Sequence, residues 1–211
     1  MKSTLVMASG GIESNTLIAK AIKGGSFVIG LYFDLGLDSS DQQMHSAKTI
    51  LRAGSGKLER IDIRELRYML LEFMPPHVLA GEADKLCTDV EFMPLYTVIA
   101  VYYAECSGLK NIYLGFTRDQ IDKKRASFFK MLGPTFSSYQ EGLESVSIEM
   151  PFSKLDKADV IKLGHKLGVS YENSWSCLYG EALHCGICPR CTSRKEAFNS
   201  AKITDPTDYL S

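Results

Sequence analysis

This 211-residue chain lacks the features expected of a membrane, secreted or nucleic-acid-binding protein. No apolar run approaches the roughly 18 residues that a membrane-spanning helix needs. The apolar run that follows Met1 is too short for a secretory signal, so we expect a cytoplasmic protein. A formal net charge of −1 gives no overall attraction to anionic membranes or nucleic acids. Direct binding to either is therefore not expected.

Internal repeats, low-complexity tracts and linkers rich in Pro, Ser or Gly are also missing. Hydrophobic residues make up 45% of the chain and charged residues 23%, which is typical of a globular protein. The length suits one domain with a small appendage. Six cysteines could form three disulfides, but without a secretory signal the sequence favours reduced, metal-binding thiols.

Apolar runs alternate with stripes of helical period along the chain. Strands are predicted at 5–8, 27–33, 58–63, 112–114 and 146–150. Helices are predicted around the stripes at 17–22, 44–51, 66–73 and 95–106, and over about 156–168. This alternation predicts an α/β fold with a doubly wound parallel sheet. The segment after Trp175 is predicted to be an irregular, metal-bound tail packed on the same core.

A glycine-rich turn follows the first predicted strand. Its residues are Ser9, Gly10, Gly11, Ile12, Glu13 and Ser14. Glycines allow a tight turn, and a helix start adds partial positive charge, so such a turn can hold phosphate groups. An ordinary strand-to-helix turn with two glycines remains the alternative, because short glycine patterns are common.

Four cysteines, Cys177, Cys185, Cys188 and Cys191, lie within fifteen residues near the C-terminal end. Short gaps between cysteines let neighbouring sulfurs reach one small ion, so the spacing predicts a Zn²⁺ site. Four thiolates leave no open position for water, and the zinc is therefore expected to be structural. His184 adjoins the cluster and is expected to be a neighbour of the metal. Buried or disulfide-linked thiols are the alternative.

The order Ser-Gly-Gly-x-Glu-Ser resembles the PP-loop of ATP pyrophosphatases, where Asp usually stands at the position of Glu13. Several later segments resemble the 7-cyano-7-deazaguanine synthase (QueC) family. They are 151–152, 155–159, 167–168, 172–177 and 185–194. The resemblance implies an adenine nucleotide alpha-hydrolase-like (PP-loop) fold. It divides the chain into an ATP-binding domain at 1–170 and a zinc-binding segment at 171–211, and implies a homodimer.

The resemblance also implies a chemistry, that of an ATP-dependent C–N ligase of queuosine biosynthesis. ATP would adenylate the carboxylate of 7-carboxy-7-deazaguanine, and ammonia would convert the adenylate to an amide and then to the nitrile preQ0. AMP and pyrophosphate would be released. Residues 9–14 would bind ATP, and Glu13 or another acid would help hold Mg²⁺. Lys157 would face phosphate, with a solvated lysine at a helix start as the alternative. Arg194 would either brace the zinc segment or approach phosphate, with a surface position as the alternative.

The sequence departs from the family pattern around Asp34–Ser39, Asp89–Pro94 and Gly115–Asp122. Retained ATP and zinc motifs beside altered loops favour a divergent member. QueC-like proteins also occur in antiviral defence systems, so one alternative is transfer of a deazaguanine acyl group to an amine of a partner protein. Candidate contacts for that partner are Asp119, Asp122 and the basic run 123–125. The alternative for the basic run is a solvated face.

Two further alternatives come from other classes of protein. A tRNA thiolase would use Cys87 or Cys106 as sulfur carrier, although the apolar stripe that contains Cys106 favours a core position. The non-enzymatic alternative is a nucleotide-binding sensor or scaffold that is held together by zinc and has lost turnover. Glu13 in place of the usual Asp would be the first indication of that loss.

Overall fold

A computed structural model describes residues 2–73, 92–139 and 145–210 of the chain. In these residues five strands form one parallel sheet with the order β3-β2-β1-β4-β5. The strands are β1 (Ser3–Met7), β2 (Phe27–Asp34), β3 (Gly56–Asp62), β4 (Asn111–Tyr113) and β5 (Ser147–Glu149). The predicted α/β fold is confirmed.

Helices cover both faces of this sheet. They are α1 (Ile12–Lys23), α2 (Ser40–Arg52), α3 (Arg64–Glu72), α4 (Met93–Cys106), α5 (Lys123–Tyr139), α6 (Lys157–Leu167) and α7 (Pro189–Ala201), with a short 3₁₀ helix at Tyr171–Asn173. Successive strand residues face opposite sides, so Leu5 packs with α3, α4 and α5. Its neighbour Val6 packs with α1, α2, α6 and α7.

The strand order reverses between β1 and β4, the position where open α/β sheets bind ligands beyond the carboxyl ends of the strands. The turn from β1 into α1 lies at this position. Gly115, the second residue after β4, approaches it closely, since a Cβ added there would lie 3.4 Å from Cβ of Glu13. The sheet therefore brings the glycine-rich turn and the loop after β4 together.

Two helices differ from the sequence predictions. The segment after Trp175 was predicted to be irregular but contains the 13-residue helix α7. Pro189 fits its first turn, where no backbone N–H is needed, and the Cys188 side chain accepts the N–H of Cys191 as N-cap. Helix α5 was not predicted. Only Phe129 and Gly133 are buried among its described residues, which is too few for a stripe of helical period.

The helix predicted around the stripe 95–106 is confirmed as α4, but its buried face is different. Tyr96, Ala100, Val101 and Ala104 are buried, whereas Tyr102 is 54% exposed. The core position predicted for Cys106 is wrong, since this cysteine is exposed. Helix α4 is apolar almost all round, so the hydrophobic period could not select one face.

Among the described residues, no helix combines the length and the apolar character that crossing a bilayer requires. Cys87, one of the two candidate sulfur carriers, lies outside the described residues. So do the first three residues of the altered segment Asp89–Pro94. The division into 1–170 and 171–211 stays a prediction.

Candidate functional site

The two glycines of the turn have different backbone conformations. Gly10 has φ +73°, the left-handed region that favours glycine, and an added Cβ would overlap the carbonyl of Gln43 on α2. Gly11 is extended, with φ −77° and ψ 176°. A Cβ on Gly11 would come no closer than 3.5 Å to Ser9 Oγ. The fold therefore requires glycine at position 10, whereas a Cβ at position 11 would make only ordinary van der Waals contacts.

The N-terminus of α1 has no side-chain cap. Gly11 is its N-cap residue, and the hydroxyl of Ser14 donates back to the Gly11 carbonyl at 3.2 Å. Ser9 Oγ lies 3.3 Å from Ser14 Oγ, so two hydroxyls flank the helix start. The first N–H groups of a helix have no intrahelical acceptor and carry partial positive charge. This arrangement suits an anion such as phosphate.

Glu13 and Lys157 meet beside this helix start, although they are far apart in sequence. Lys157 Nζ lies 3.2 Å from Glu13 Oε1, and the two side chains are 22% and 16% exposed. Lys157 is held at the first position of α6, whose N-cap Asp156 accepts the N–H of Asp159 at 2.8 Å. The contact is an ion pair without hydrogen-bond geometry, which leaves the buried Glu13 Oε1 with acceptor capacity for a ligand.

A cavity of about 160 Å³ opens next to these residues. Its walls include Ser9, Glu13, Phe33, Tyr96, Phe116 and Gln120. The rings of Phe33 and Tyr96 are stacked, with centroids 4.9 Å apart and an angle of 18°. Mostly apolar walls with a few polar groups are typical of small-molecule sites. These two rings stack on each other and form part of the apolar wall of the cavity.

The four cysteines predicted to bind metal lie together. Their sulfurs are all within 4.8 Å of one another, and the pairs Cys177–Cys188 and Cys185–Cys191 are 4.0 Å apart. A tetrahedral Zn²⁺ with bonds of about 2.3 Å places its sulfurs roughly 3.8 Å apart. The donor set and the spacing therefore fit one zinc ion.

Backbone N–H groups point at these sulfurs. The N–H groups of Tyr179 and Cys185 each donate to Cys177 Sγ at 3.4 Å, and the N–H of Cys188 donates to Cys185 Sγ at 3.3 Å. Burial tends to raise the pKa of the Cys185 thiol, but the N–H groups of Ile187 and Cys188 lower that pKa to about 7. Burial raises the pKa values of Cys177 and Cys191. A bound cation would offset that burial cost.

His184 lies against the cluster without belonging to it. Its Nε2 accepts the backbone N–H of Ser176 at 3.0 Å, and its ring packs 4.2 Å from that of Trp175. Burial, with a contribution from Arg194, lowers the pKa of His184 to about 4. His184 is therefore neutral near pH 7 and acts as a hydrogen-bond acceptor.

Arg194 is fully buried and braces the zinc segment. Its guanidinium lies 3.1 Å from the Asp205 carboxylate and donates to Ser174 Oγ at 2.7 Å and to the carbonyl of Tyr171 at 3.1 Å. A surface position for this arginine is therefore wrong. The 171–176 segment that it holds leads directly into Cys177.

The altered loops also have structural partners. Asp34, at the end of β2, pairs with Arg60, and Gln42 of α2 donates to the carbonyl of Gly180 in the zinc segment. Asp119 accepts the hydroxyl of Thr117 at 2.7 Å. The basic run 123–125 is exposed, in agreement with a solvated face.

Sequence reasoning missed several residues that the fold brings to the turn. Asn15 and Ser46 bond to the carbonyl of Gly10, and Phe33 and Tyr96 line the cavity. Phe33 was identified only as part of a strand. Tyr96 lies outside the stripe that marked α4. Ser46 lies on the buried face of α2, which also carries the polar residues Ser40 and Gln43.

With this geometry in place, comparison with known proteins identifies the family. A family model described as queuosine biosynthesis protein QueC matches residues 3–202. The chain belongs to the QueC family. A 7-cyano-7-deazaguanine synthase from Porphyromonas gingivalis is 32% identical, over 99% of this chain and 97% of the relative. A synthase with the same name from Thermoplasma acidophilum is 31% identical over 99% of this chain and 92% of the relative.

Solved structures with the same fold are more distant. NMN synthetase from Francisella tularensis superposes with a TM-score of 0.56 and 14% identity, over 96% of this chain and 78% of its own. A 4-thiouridine synthetase bound to RNA and ATP superposes with a TM-score of 0.53 and 15% identity, over 95% of this chain and 50% of its own. At these identities the likeness shows the fold. The family and its named synthases support an enzyme of the ligase or synthase kind.

Proposed function

We propose that this protein uses ATP to adenylate the carboxylate of 7-carboxy-7-deazaguanine and then transfers the acyl group to ammonia. The amide would be converted to the nitrile preQ0 in a further ATP-dependent step. Residues 9–14 would hold the phosphates of ATP. Membership of the QueC family and the names of the relatives support this substrate.

The observation that carries the proposal is the position of the Glu13–Lys157 pair. The pair lies at the uncapped start of α1, and Glu13 also lines the cavity with the stacked aromatic rings. An uncapped helix start, a cation and a cavity with apolar and aromatic walls are thereby adjacent. A nucleotide phosphate and a heteroaromatic acid need these three groups side by side.

The chain's own residues would act by positioning and by charge. A carboxylate oxygen attacks the α-phosphorus of ATP, the bond from that phosphorus to the bridging oxygen breaks, and pyrophosphate leaves. Lys157 and the first N–H groups of α1 would stabilise the negative charge on the departing pyrophosphate. Ammonia then attacks the acyl carbon and AMP leaves.

Metal ions would have separate roles. The free acceptor capacity of Glu13 Oε1 fits Mg²⁺, which prefers hard oxygen ligands and neutralises phosphate charge when bound. Glu in place of the usual Asp retains the negative charge and moves the carboxylate by about one C–C bond. Zn²⁺ on Cys177, Cys185, Cys188 and Cys191 would be structural, since four thiolates complete a tetrahedral shell.

A second candidate is transfer of the acyl group to an amine of a partner protein, stopping at an amide. The observation that favours it is that Leu35, Phe116 and Gln120 line the cavity and belong to the loops that depart from the family pattern. Ammonia and a protein amine are similar nucleophiles, so a change in access would be sufficient. The homodimer also stays a prediction from the resemblance.

The position of Cys106 argues against this residue as the sulfur carrier of the tRNA thiolase alternative, while the other candidate, Cys87, lies outside the described residues. Cys106 ends α4, whereas Met93 at the other end of that helix lines the cavity. Thirteen steps of helix place the two ends roughly 20 Å apart, too far for a sulfur carrier at the cavity.

A product assay tests the proposal. Purified protein is incubated with ATP, Mg²⁺ and 7-carboxy-7-deazaguanine, with and without ammonia, and AMP, pyrophosphate and the deazapurine product are measured. We expect AMP and pyrophosphate in equal amounts. We also expect a nitrile product, which mass spectrometry identifies. Lys157→Met, which preserves length and removes charge, is expected to lower the rate by at least about 100-fold.

The other outcomes separate the alternatives. A product that stops at the amide, or a mass adduct on an added protein, would favour the second candidate. AMP formation that depends on tRNA would favour thiolation. Failure to form AMP with any deazapurine acid, in a protein that still binds ATP, would leave the scaffold as the remaining explanation. Lys123→Met, on the exposed basic run, is the matched control and should retain activity.

A further inference from the structure

The carbonyl oxygen of Gly10 accepts hydrogen bonds from three parts of the chain. Ser46 Oγ on α2 donates at 2.8 Å, the backbone N–H of Trp175 donates at 2.9 Å, and Asn15 Nδ2 on α1 donates at 3.4 Å. Asn15 Nδ2 also lies 3.0 Å from Ser46 Oγ, so these two side chains form one network. Each is 1% exposed, which shields the bonds from water.

These bonds fix the direction of the next N–H group. In a trans peptide the carbonyl and the following N–H point in opposite directions, and the described chain has no cis peptide bond. The Gly10 carbonyl points at α2 and at the segment of Trp175. The N–H of Gly11 therefore points away from them.

We propose that Ser46, Asn15 and the Trp175 N–H are positioning groups that hold the Gly11 N–H toward the nucleotide phosphates. The inference rests on the proposed function, because it assumes that the turn binds ATP. None of the three groups needs to touch the reacting atoms. They act through the peptide between Gly10 and Gly11.

A Gly-Gly peptide needs such support because both residues have wide conformational freedom. If this peptide flipped, a carbonyl oxygen would replace the N–H donor in front of a phosphate, and attraction would become repulsion. Three donors on the Gly10 carbonyl oppose that flip before ATP arrives. Preorganised donors cost no reorganisation when the ligand binds, and their loss weakens binding without removing a contact to the ligand.

Ser46→Ala tests the inference, with Ser26→Ala as the matched control. Ser26 is also buried and accepts a hydroxyl hydrogen bond from Thr4 at 3.3 Å, but it lies at the opposite end of the sheet, just before β2. Isothermal titration with a non-hydrolysable ATP analogue and Mg²⁺ gives the affinity. We expect Ser46→Ala to bind about threefold to tenfold more weakly, and Ser26→Ala to bind like the unmodified protein.

Kinetics separate positioning from a general loss of stability. Ser46→Ala should raise KM for ATP by the same factor, with kcat and the KM for the carboxylate within about twofold of the unmodified values. Asn15→Ala is the second variant if Ser46→Ala folds poorly, and the same shift is expected. Because the two side chains share one network, the double variant should lose less affinity than the product of the two single losses.

The results also distinguish this inference from the proposed function. An unmodified protein without affinity for the analogue would overturn both. An unmodified protein that binds the analogue, with affinity unchanged in Ser46→Ala and Asn15→Ala, would overturn the positioning role alone. Equal losses in Ser46→Ala and Ser26→Ala would also contradict it, because the effect would then follow stability.

Discussion

At the scale of single residues, two adjacent glycines serve different purposes. Gly10 has a left-handed backbone and no room for a Cβ beside Gln43, so its glycine is required for folding. Gly11 is extended and an added Cβ would make only ordinary contacts, so a small side chain there would fit the fold and would occupy the space that the proposal gives to phosphate. Stability and binding can therefore be separated by changing neighbouring positions.

Gly10→Ala and Gly11→Val should have opposite profiles. Gly10→Ala combines a left-handed alanine with an overlap on backbone, and we expect a loss of about 2–4 kcal/mol in the free energy of unfolding. Gly11→Val should cost less than about 1 kcal/mol, from the weaker N-cap preference of valine, yet abolish binding of the ATP analogue. Urea unfolding and calorimetric titration measure the two effects. Binding retained in Gly11→Val would mean that the phosphates lie elsewhere.

At the scale of elements, α7 begins at the candidate zinc site. Cys188 is one of the four clustered cysteines and also the N-cap of α7, accepting the N–H of Cys191. Helix α7 then carries Arg194, whose guanidinium holds Tyr171 and Ser174. Helix α7 therefore links the cysteine cluster to the segment in front of Cys177 through one buried arginine.

Cys188→Ser separates the metal from the cap. Serine is a preferred N-cap residue, so the helix start retains an acceptor while the thiolate is lost. We expect bound zinc to fall from about one ion per chain to near zero and Tm to fall by roughly 5–10 °C, because metal binding is coupled to folding. Metal analysis and thermal unfolding are the measurements. Cys106→Ser, at an exposed cysteine, is the control and should change neither quantity.

At the scale of the whole molecule, the four-cysteine segment and the glycine-rich turn are directly connected. Trp175, two positions before Cys177, donates its N–H to the Gly10 carbonyl at 2.9 Å. Gly180, between the first two cysteines of the cluster, packs against the carbonyl of Asp38 and accepts from Gln42. The two motifs therefore form one connected structure at the carboxyl edge of the sheet.

Removal of the metal should therefore weaken nucleotide binding. A chelator that removes zinc is expected to raise the Kd for the ATP analogue about threefold to tenfold, since the Trp175 donor loses its fixed position. Titrations before and after chelation, and again after zinc is restored, measure the change. Circular dichroism checks that the sheet and helices persist. An unchanged Kd in folded, zinc-free protein would show that the two sites are independent.

Local patterns in the sequence were sufficient for most of the fold. Apolar runs such as 27–33 and helical stripes such as 17–22 predicted β2 and α1, because burial on a sheet or helix face imposes a fixed period. The same logic predicted the helix α4 but not its buried face, because α4 is apolar almost all round. It did not predict α7, because the closely spaced cysteines were interpreted as part of an irregular metal-bound segment. The helix begins at Pro189, with Cys188 as its N-cap.

The sequence by itself determined the α/β fold, the family, the glycine-rich turn and the cluster of four cysteines, because each depends on residues close together along the chain. Only the tertiary structure decided that Lys157 reaches Glu13, that Tyr96 and Phe33 stack beside the turn, and that Ser46 and Trp175 hold the Gly10 carbonyl. These contacts join distant segments. Their geometry follows from strand order and helix packing, which no local pattern of residues specifies.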